Sequence, residues 1–223
     1  MFKTKLSRFP ATGEFYISKI VDRHIGAIAA LILISLLSSW SGTPGVRAIS
    51  NSWEGFLWGV ADPVISSKCL VGIIAIGLLS AIFARGALIV GCFVLAAVLG
   101  IVIHFFQLNL PGTEIVLVIF TIILSIMLII PNQANFIVVA LVGISVGLFQ
   151  GYTHGESITE IGIIPLITYI PSMVLTQFAV TICVRQIGDA MGIGKINRIL
   201  SWKISIAGLS LYAIAIVFLS NSI

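Results

Sequence analysis

Ala87-Leu88-Ile89-Val90-Gly91-Cys92-Phe93-Val94-Leu95-Ala96-Ala97-Val98-Leu99-Gly100-Ile101-Val102-Ile103-His104-Phe105-Phe106 is a run of twenty residues without Asp, Glu, Lys or Arg. As a helix rising about 1.5 Å per residue it covers about 30 Å, the depth of a bilayer's hydrocarbon core. Lipid offers backbone N–H and C=O groups no partners, so such a segment satisfies them internally as a helix. The fold class follows: all-α, a polytopic transmembrane helical bundle.

The rest of the chain agrees. Of its 223 residues, 59% are hydrophobic and 9% charged, where a soluble domain carries roughly 25% charged residues. One membrane domain is expected, surrounded by lipid, and no soluble domain. The net charge of +4 does not indicate a nucleic-acid partner, because the cations cluster beside the apolar runs, where they set membrane orientation. Cys69, Cys92 and Cys183 are widely spaced within apolar runs, which argues against a disulfide framework.

On the N-terminal side of the opening run, Gly55 to Phe83 is apolar but interrupted by Asp62-Pro63 and then Ser66-Ser67-Lys68-Cys69. Proline is sterically poor inside a helix, and the residue before it resists helical angles. A short outer helix, a kink at Asp62-Pro63 and a full helix are expected, with Lys68 and Cys69 near mid-membrane depth. Residues 1–48 hold a basic stretch, a short apolar run and a Pro/Gly break before Val46-Arg47-Ala48. They read either as a signal peptide cleaved after Ala48 or as a retained anchor helix. Residues 49–223 then form the transmembrane domain.

On the C-terminal side, Gln107 to Glu114 reads as a turn and Ile115 to Ile130 as a span. Pro131-Asn132-Gln133 is a tight turn, and Ala134 to Gly151 a span. Tyr152 to Glu160 reads as polar boundary, Ile161 to Val184 as a span, Arg185 to Lys203 as a basic connector and Ile204 to Leu219 as the last span. This makes six spans plus the N-terminal signal or anchor helix. With the N-terminus in the cytoplasm, Lys3, Lys5, Arg8, Lys19, Arg23, Arg85, Arg185, Lys195, Arg198 and Lys203 fall inside, and only Arg47 outside, as the positive-inside rule requires. Asp62, His104, Glu114, His154, Glu156 and Glu160 then lie toward the outer face. Two small-residue stripes, Cys92/Ala96/Gly100/His104 and Pro165/Thr168/Ser172/Thr176, mark faces suited to close helix packing.

Chemistry concentrates in Leu148-Phe149-Gln150-Gly151-Tyr152-Thr153-His154-Gly155-Glu156-Ser157. His154 and Glu156, with His104 and Asp62, make a mixed N/O donor set that suits Ni, Co or Zn better than Mg or Ca. A plainer reading also fits: His154 satisfies loop backbone, and Glu156 with Glu160 caps the next helix. Ionisable groups inside a membrane are costly unless paired, and Asp62 and Lys68 are spaced to pair with each other. Glu114 after Pro-Gly stands where a helix N-terminus favours a carboxylate. No His-Glu-x-x-His occurs in the chain, so enzymatic chemistry has little support.

From the N-terminal segment to about Val184, the chain resembles the HupE/UreJ family of small bacterial membrane proteins. Family members carry His-Pro-x-x-Gly-x-Asp-His opening an early span and Phe-His-Gly-x-Ala/Val-His-Gly-x-Glu near the end of a later one. Asp62-Pro63-Val64-Ile65-Ser66-Ser67-Lys68-Cys69 aligns with the first motif but keeps only its proline. Phe149, Gly151, His154 and Gly155 match the second; Gln150 stands in the place of its first His, and Glu156 comes one position early. Leu110-Pro111-Gly112-Thr113-Glu114 is similar to the family's turn and carboxylate. The resemblance implies a six-span permease in a bacterial inner membrane (thylakoid in a photosynthetic source) with histidine- and carboxylate-based recognition of nickel or cobalt. His154, Glu156, Asp62, Cys69, Glu114 and His104 would be the ligands, supported by Gln150, Tyr152 and Ser157, with no tightly bound cofactor. Lys68, where the family has a carboxylate, gives the alternative: its ammonium replaces the metal, and the protein is a non-transporting scaffold for a membrane protein partner.

Overall fold

The computed structural model describes residues 49, 51–108, 110, 112–130, 135–158, 162–190 and 198–222. The expected signal or anchor segment and Glu160 lie outside them. The described residues form seven helices and no strand: α1 (Ser52–Ile65), α2 (Ser67–Ser80), α3 (Gly86–Phe105), α4 (Thr113–Ile129), α5 (Phe136–Ser157), α6 (Ile163–Ala190) and α7 (Arg198–Ser222). The fold is all-α, as expected. Three helices are long and apolar enough to cross a membrane, namely α3, α5 and Ile163–Asp189 of α6; α1 and α2 add a fourth span if the bent pair is counted as one. Thr113–Ile129 and Ser205–Phe218 are apolar but shorter.

Local chemistry starts these helices. Asn51 Oδ1 accepts the Glu54 N–H at 2.9 Å while Asn51 Nδ2 reaches Glu54 Oε1 at 3.1 Å, a reciprocal cap that satisfies otherwise orphaned groups. Asn135 Oδ1 accepts the Ile137 N–H at 2.9 Å and caps α5. Gly112 enters α4 at φ 67°, a left-handed conformation that glycine adopts without steric cost.

α2 is short but central, touching each of the other six helices. Its Ile73, Ala75, Ile76 and Leu79 are wholly buried, and they pack in one cluster with Phe93 of α3, Leu124 and Leu128 of α4 and Val146 of α5. The most extensive helix pairs are α3 with α5, α1 with α6 and α4 with α7.

The sequence expectations need four corrections. First, α5 does not stop at Gly151. It continues to Ser157, so Tyr152, His154 and Glu156 occupy its last turns rather than a loop. The glycines that suggest a loop form a seam every four residues. A Cβ at Gly147 would stand 2.2 Å from the Phe93 carbonyl oxygen, and one at Gly151 1.8 Å from that of Ala97. α3 and α5 therefore meet backbone to backbone, the close approach that small residues permit in membranes.

Second, the chain does not break at Asp62-Pro63. Pro63 lies inside α1, near its end, where the lost N–H removes a single helical bond. The break comes at Ser66, with φ −69° and ψ 99°, and turns α1 against α2 by 71°. Third, Lys68 therefore begins a new helix at the bundle's polar end instead of lying at mid-depth on a straight one. Fourth, Cys92 is exposed; the packed face of α3 runs instead through Phe93, Ala96, Ala97, Gly100 and Ile101. The second stripe does pack: Cβ atoms at Gly55 and Gly59 of α1 would collide with Pro165, Thr168 and Ser172.

Candidate functional site

The break at Ser66 and the C-terminal turns of α5 bring distant stretches together. Asp62, Ser66, Lys68, Cys69, Glu114, Leu117, Thr153, His154, Glu156 and Ser157 line one cavity of about 370 Å³. That is room for several waters, at about 30 Å³ each in the liquid. The cavity lies at one end of the bundle; at the other, Arg185 stands beside Gly86, next to Arg85.

The floor is built by three helices. Asp62 comes from α1, His154 from α5 and Tyr169 from α6. His154 Nδ1 is 3.1 Å from Asp62 Oδ2, and Tyr169 donates its hydroxyl to the same oxygen. Asp62 and His154 side chains are each 4% exposed, and Tyr169 is wholly buried. An ionised carboxylate only accepts hydrogen bonds, so facing Asp62 fixes Nδ1 as the donor. That leaves Nε2, a buried atom that has no hydrogen-bond partner among the described residues. A histidine that ligates a metal typically donates its other ring N–H to a carboxylate in this manner. Cys69, buried in the first turn of α2, is near enough to act on the same ring.

The rim differs. Lys68 Nζ lies 2.8 Å from Glu114 Oε2, with side chains 31% and 62% exposed. Lys68 thus pairs with Glu114 at the start of α4, beyond the 71° turn after α1, while Asp62 meets His154 and Tyr169. Glu156 and Ser157 are exposed beside the cavity, and Ser157 Oγ donates to the Thr153 carbonyl at 3.1 Å.

Of the expected ligands, Asp62, Cys69, Glu114, His154 and Glu156 share this cavity, while His104 does not line it. The His104 ring meets Tyr152 edge-on at 5.0 Å and packs over Gly155, because Gly100 and His104 of α3 face the glycine seam of α5. Tyr152 and Gln150 also stand outside the lining; the Tyr152 hydroxyl accepts the Leu110 N–H at 3.3 Å. Among the described residues no three of His, Cys, Asp and Glu are grouped closely enough to hold one ion. The cavity's donors are thus set apart from one another rather than gathered into a closed coordination shell among the described residues.

Sequence reasoning missed Tyr169. The signal available was its depth: a tyrosine inside an apolar run, away from both ends, must find a partner for its hydroxyl when buried.

Comparison with known families matches residues 28–215 to the family described as HupE / UreJ protein. Comparisons with curated proteins and with solved structures give no significant match. The family match covers most of the chain, including every residue of the cavity, and agrees with the membrane-length helices; this protein belongs to the HupE/UreJ family.

Proposed function

We propose that the protein is a secondary permease for nickel, cobalt or a related divalent cation, not an enzyme, and that the cavity is its outer-face binding site. One observation carries the reading: the Asp62-oriented imidazole of His154, whose Nε2 is buried without a partner among the described residues. The expected ligands that share the cavity with it support the same reading. The orientation derived from Lys and Arg placement supports an outward-facing cavity in an inner membrane. There, a negative interior favours influx by about 2.3 kcal/mol per charge per 100 mV. In this reading α1 with α2, and α3 to α7, make the six spans of a domain over residues 49–223.

The test is uptake of ⁶³Ni²⁺ or ⁵⁷Co²⁺ by cells stripped of other importers for these ions. Wild type accumulates the ion, and His154→Ala lowers the rate roughly tenfold or more at unchanged membrane level. A wild type that accumulates neither ion sinks the reading.

A second reading has one observation in its favour. The Lys68 ammonium sits at the mouth, paired to Glu114, where it opposes an approaching cation. In that reading the protein is a non-transporting scaffold for a membrane partner. It expects no wild-type uptake, and gain of uptake when Lys68→Asp is combined with Cys69→His.

A further inference from the structure

Below the cavity, two glutamines stand wholly buried in the bundle: Gln150 on α5 and Gln177 on α6. Among the described residues neither side-chain amide makes any hydrogen bond, through nitrogen or oxygen. Burying an amide without a partner costs roughly 1–3 kcal/mol on protein scales, and here both amides are bare. Buried polar groups of this kind are ordinarily satisfied by water.

The Gln150 amide borders α2, and Gln177 belongs to the α6 face that meets α2. Gln150 Oε1 would lie 3.6 Å from a Cβ placed on Gly72, so the amide faces α2 at a position without a side chain. Gln177 shares one α6 face with Thr181 and Val184, at the i, i+4, i+7 spacing of a helix stripe, and those two residues meet Gly77. One turn nearer the cavity, that face reaches the level of Ile73, next to Gly72. Gln150 is itself one turn, about 6 Å, below His154. The order along α2 is then the cavity at Cys69, the amides at Gly72–Ile73, Thr181 at Gly77, and Arg185 beyond Ser80.

We propose that Gln150 and Gln177 line a hydrated passage along α2 through which a divalent cation leaves the cavity toward the Arg185 end. The proposal rests on the permease reading above. Uncharged amides suit this step: their oxygens replace part of an ion's water shell, but without a charge they do not trap it, and conduction requires sites weak enough to release the ion. A carboxylate at this depth would hold a divalent cation, and an apolar side chain would exclude its water.

Two measurements test the passage. Gln150→Leu and Gln177→Leu are reconstituted in nanodiscs and dialysed against ⁶³Ni²⁺, and the same variants are assayed for ⁶³Ni²⁺ uptake in cells. Binding stays at the wild-type level while uptake falls roughly tenfold, and the Asn variants recover part of the loss. Independently, in a Cys69→Ala/Cys92→Ala/Cys183→Ala background, Gln150→Cys and Gln177→Cys are exposed to methanethiosulfonate ethylammonium and labelling is read by mass. Both react, whereas Leu124→Cys, buried in the apolar cluster, does not. Wild-type uptake with either Leu variant also at wild-type rate overturns the passage and leaves the permease reading intact. Cysteines as inert as the one at position 124 overturn it too. A wild type without uptake removes both the passage and the permease reading.

Discussion

The floor and the rim of the cavity each set a carboxylate against a nitrogen base, but in opposite surroundings. At the floor, Asp62 and His154 are each 4% exposed, and a tyrosine from a third helix shares the carboxylate. At the rim, Lys68 and Glu114 meet at 2.8 Å and are 31% and 62% exposed. Water screens the rim pair and can replace either partner. The floor groups are nearly closed to bulk water, so they exchange partners less readily than the rim pair does. The difference predicts a fixed recognition element below an adjustable electrostatic mouth.

The largest expected effect comes from Asp62→Ala. It leaves the His154 and Tyr169 donors buried without their acceptor, at about 1–3 kcal/mol each. Thermal unfolding of the purified protein should fall accordingly, and uptake should be lost with it. An unfolding temperature equal to wild type would show that the floor is as water-satisfied as the rim, and the contrast would collapse. Tyr169→Phe is the finer probe, since it deletes one hydroxyl and keeps the ring in place. We expect a loss of about 1 kcal/mol and weaker but measurable cation uptake, because His154 still holds Asp62. A Tyr169→Phe variant as damaged as Asp62→Ala would make Tyr169, rather than His154, the main partner of the carboxylate.

These two probes also show where the sequence was legible. The long apolar runs made the helices readable, and composition alone set the fold class. Asp62, Cys69, Glu114, His154 and Glu156 were recognisable because each is a polar rarity in an apolar chain, and the cavity brings all five together. Their pairing was not readable. The expected Lys68–Asp62 pair rested on a kink at Asp62-Pro63, whereas the turn comes at Ser66 and depends on how α2 docks among six neighbours. The glycines of α5 misled for a related reason. Gly147, Gly151 and Gly155 weaken a helix judged by local propensity, and their role appears only when Phe93, Ala97 and His104 of α3 lie against them. Tyr169 and Gln177 gave no motif at all; both stand within a run that reads as lipid-embedded core, where a single polar side chain is informative only once its surroundings are known.

The smallest effect, and the one that best separates rim from floor, belongs to Lys68→Met and Glu114→Gln, taken singly and together. An exposed ion pair contributes about 0–1 kcal/mol, so unfolding should hardly move and the double-mutant coupling should lie in that range. Uptake should respond in a direction that stability does not. Lys68→Met removes a positive charge from the mouth and releases Glu114, so the cation concentration giving half-maximal uptake should fall at low salt. Glu114→Gln, which leaves the ammonium alone, should raise it. Both changes should shrink between 0.01 M and 0.15 M salt, as the screening length drops from about 30 Å to about 8 Å. The Asp62 and His154 variants should show no such salt dependence, because their groups are shielded from ions by the bundle itself. If the Lys68→Met effect keeps its full size at 0.15 M salt, the lysine acts on the ion at short range, where salt does not screen it, and the separation of rim from floor fails.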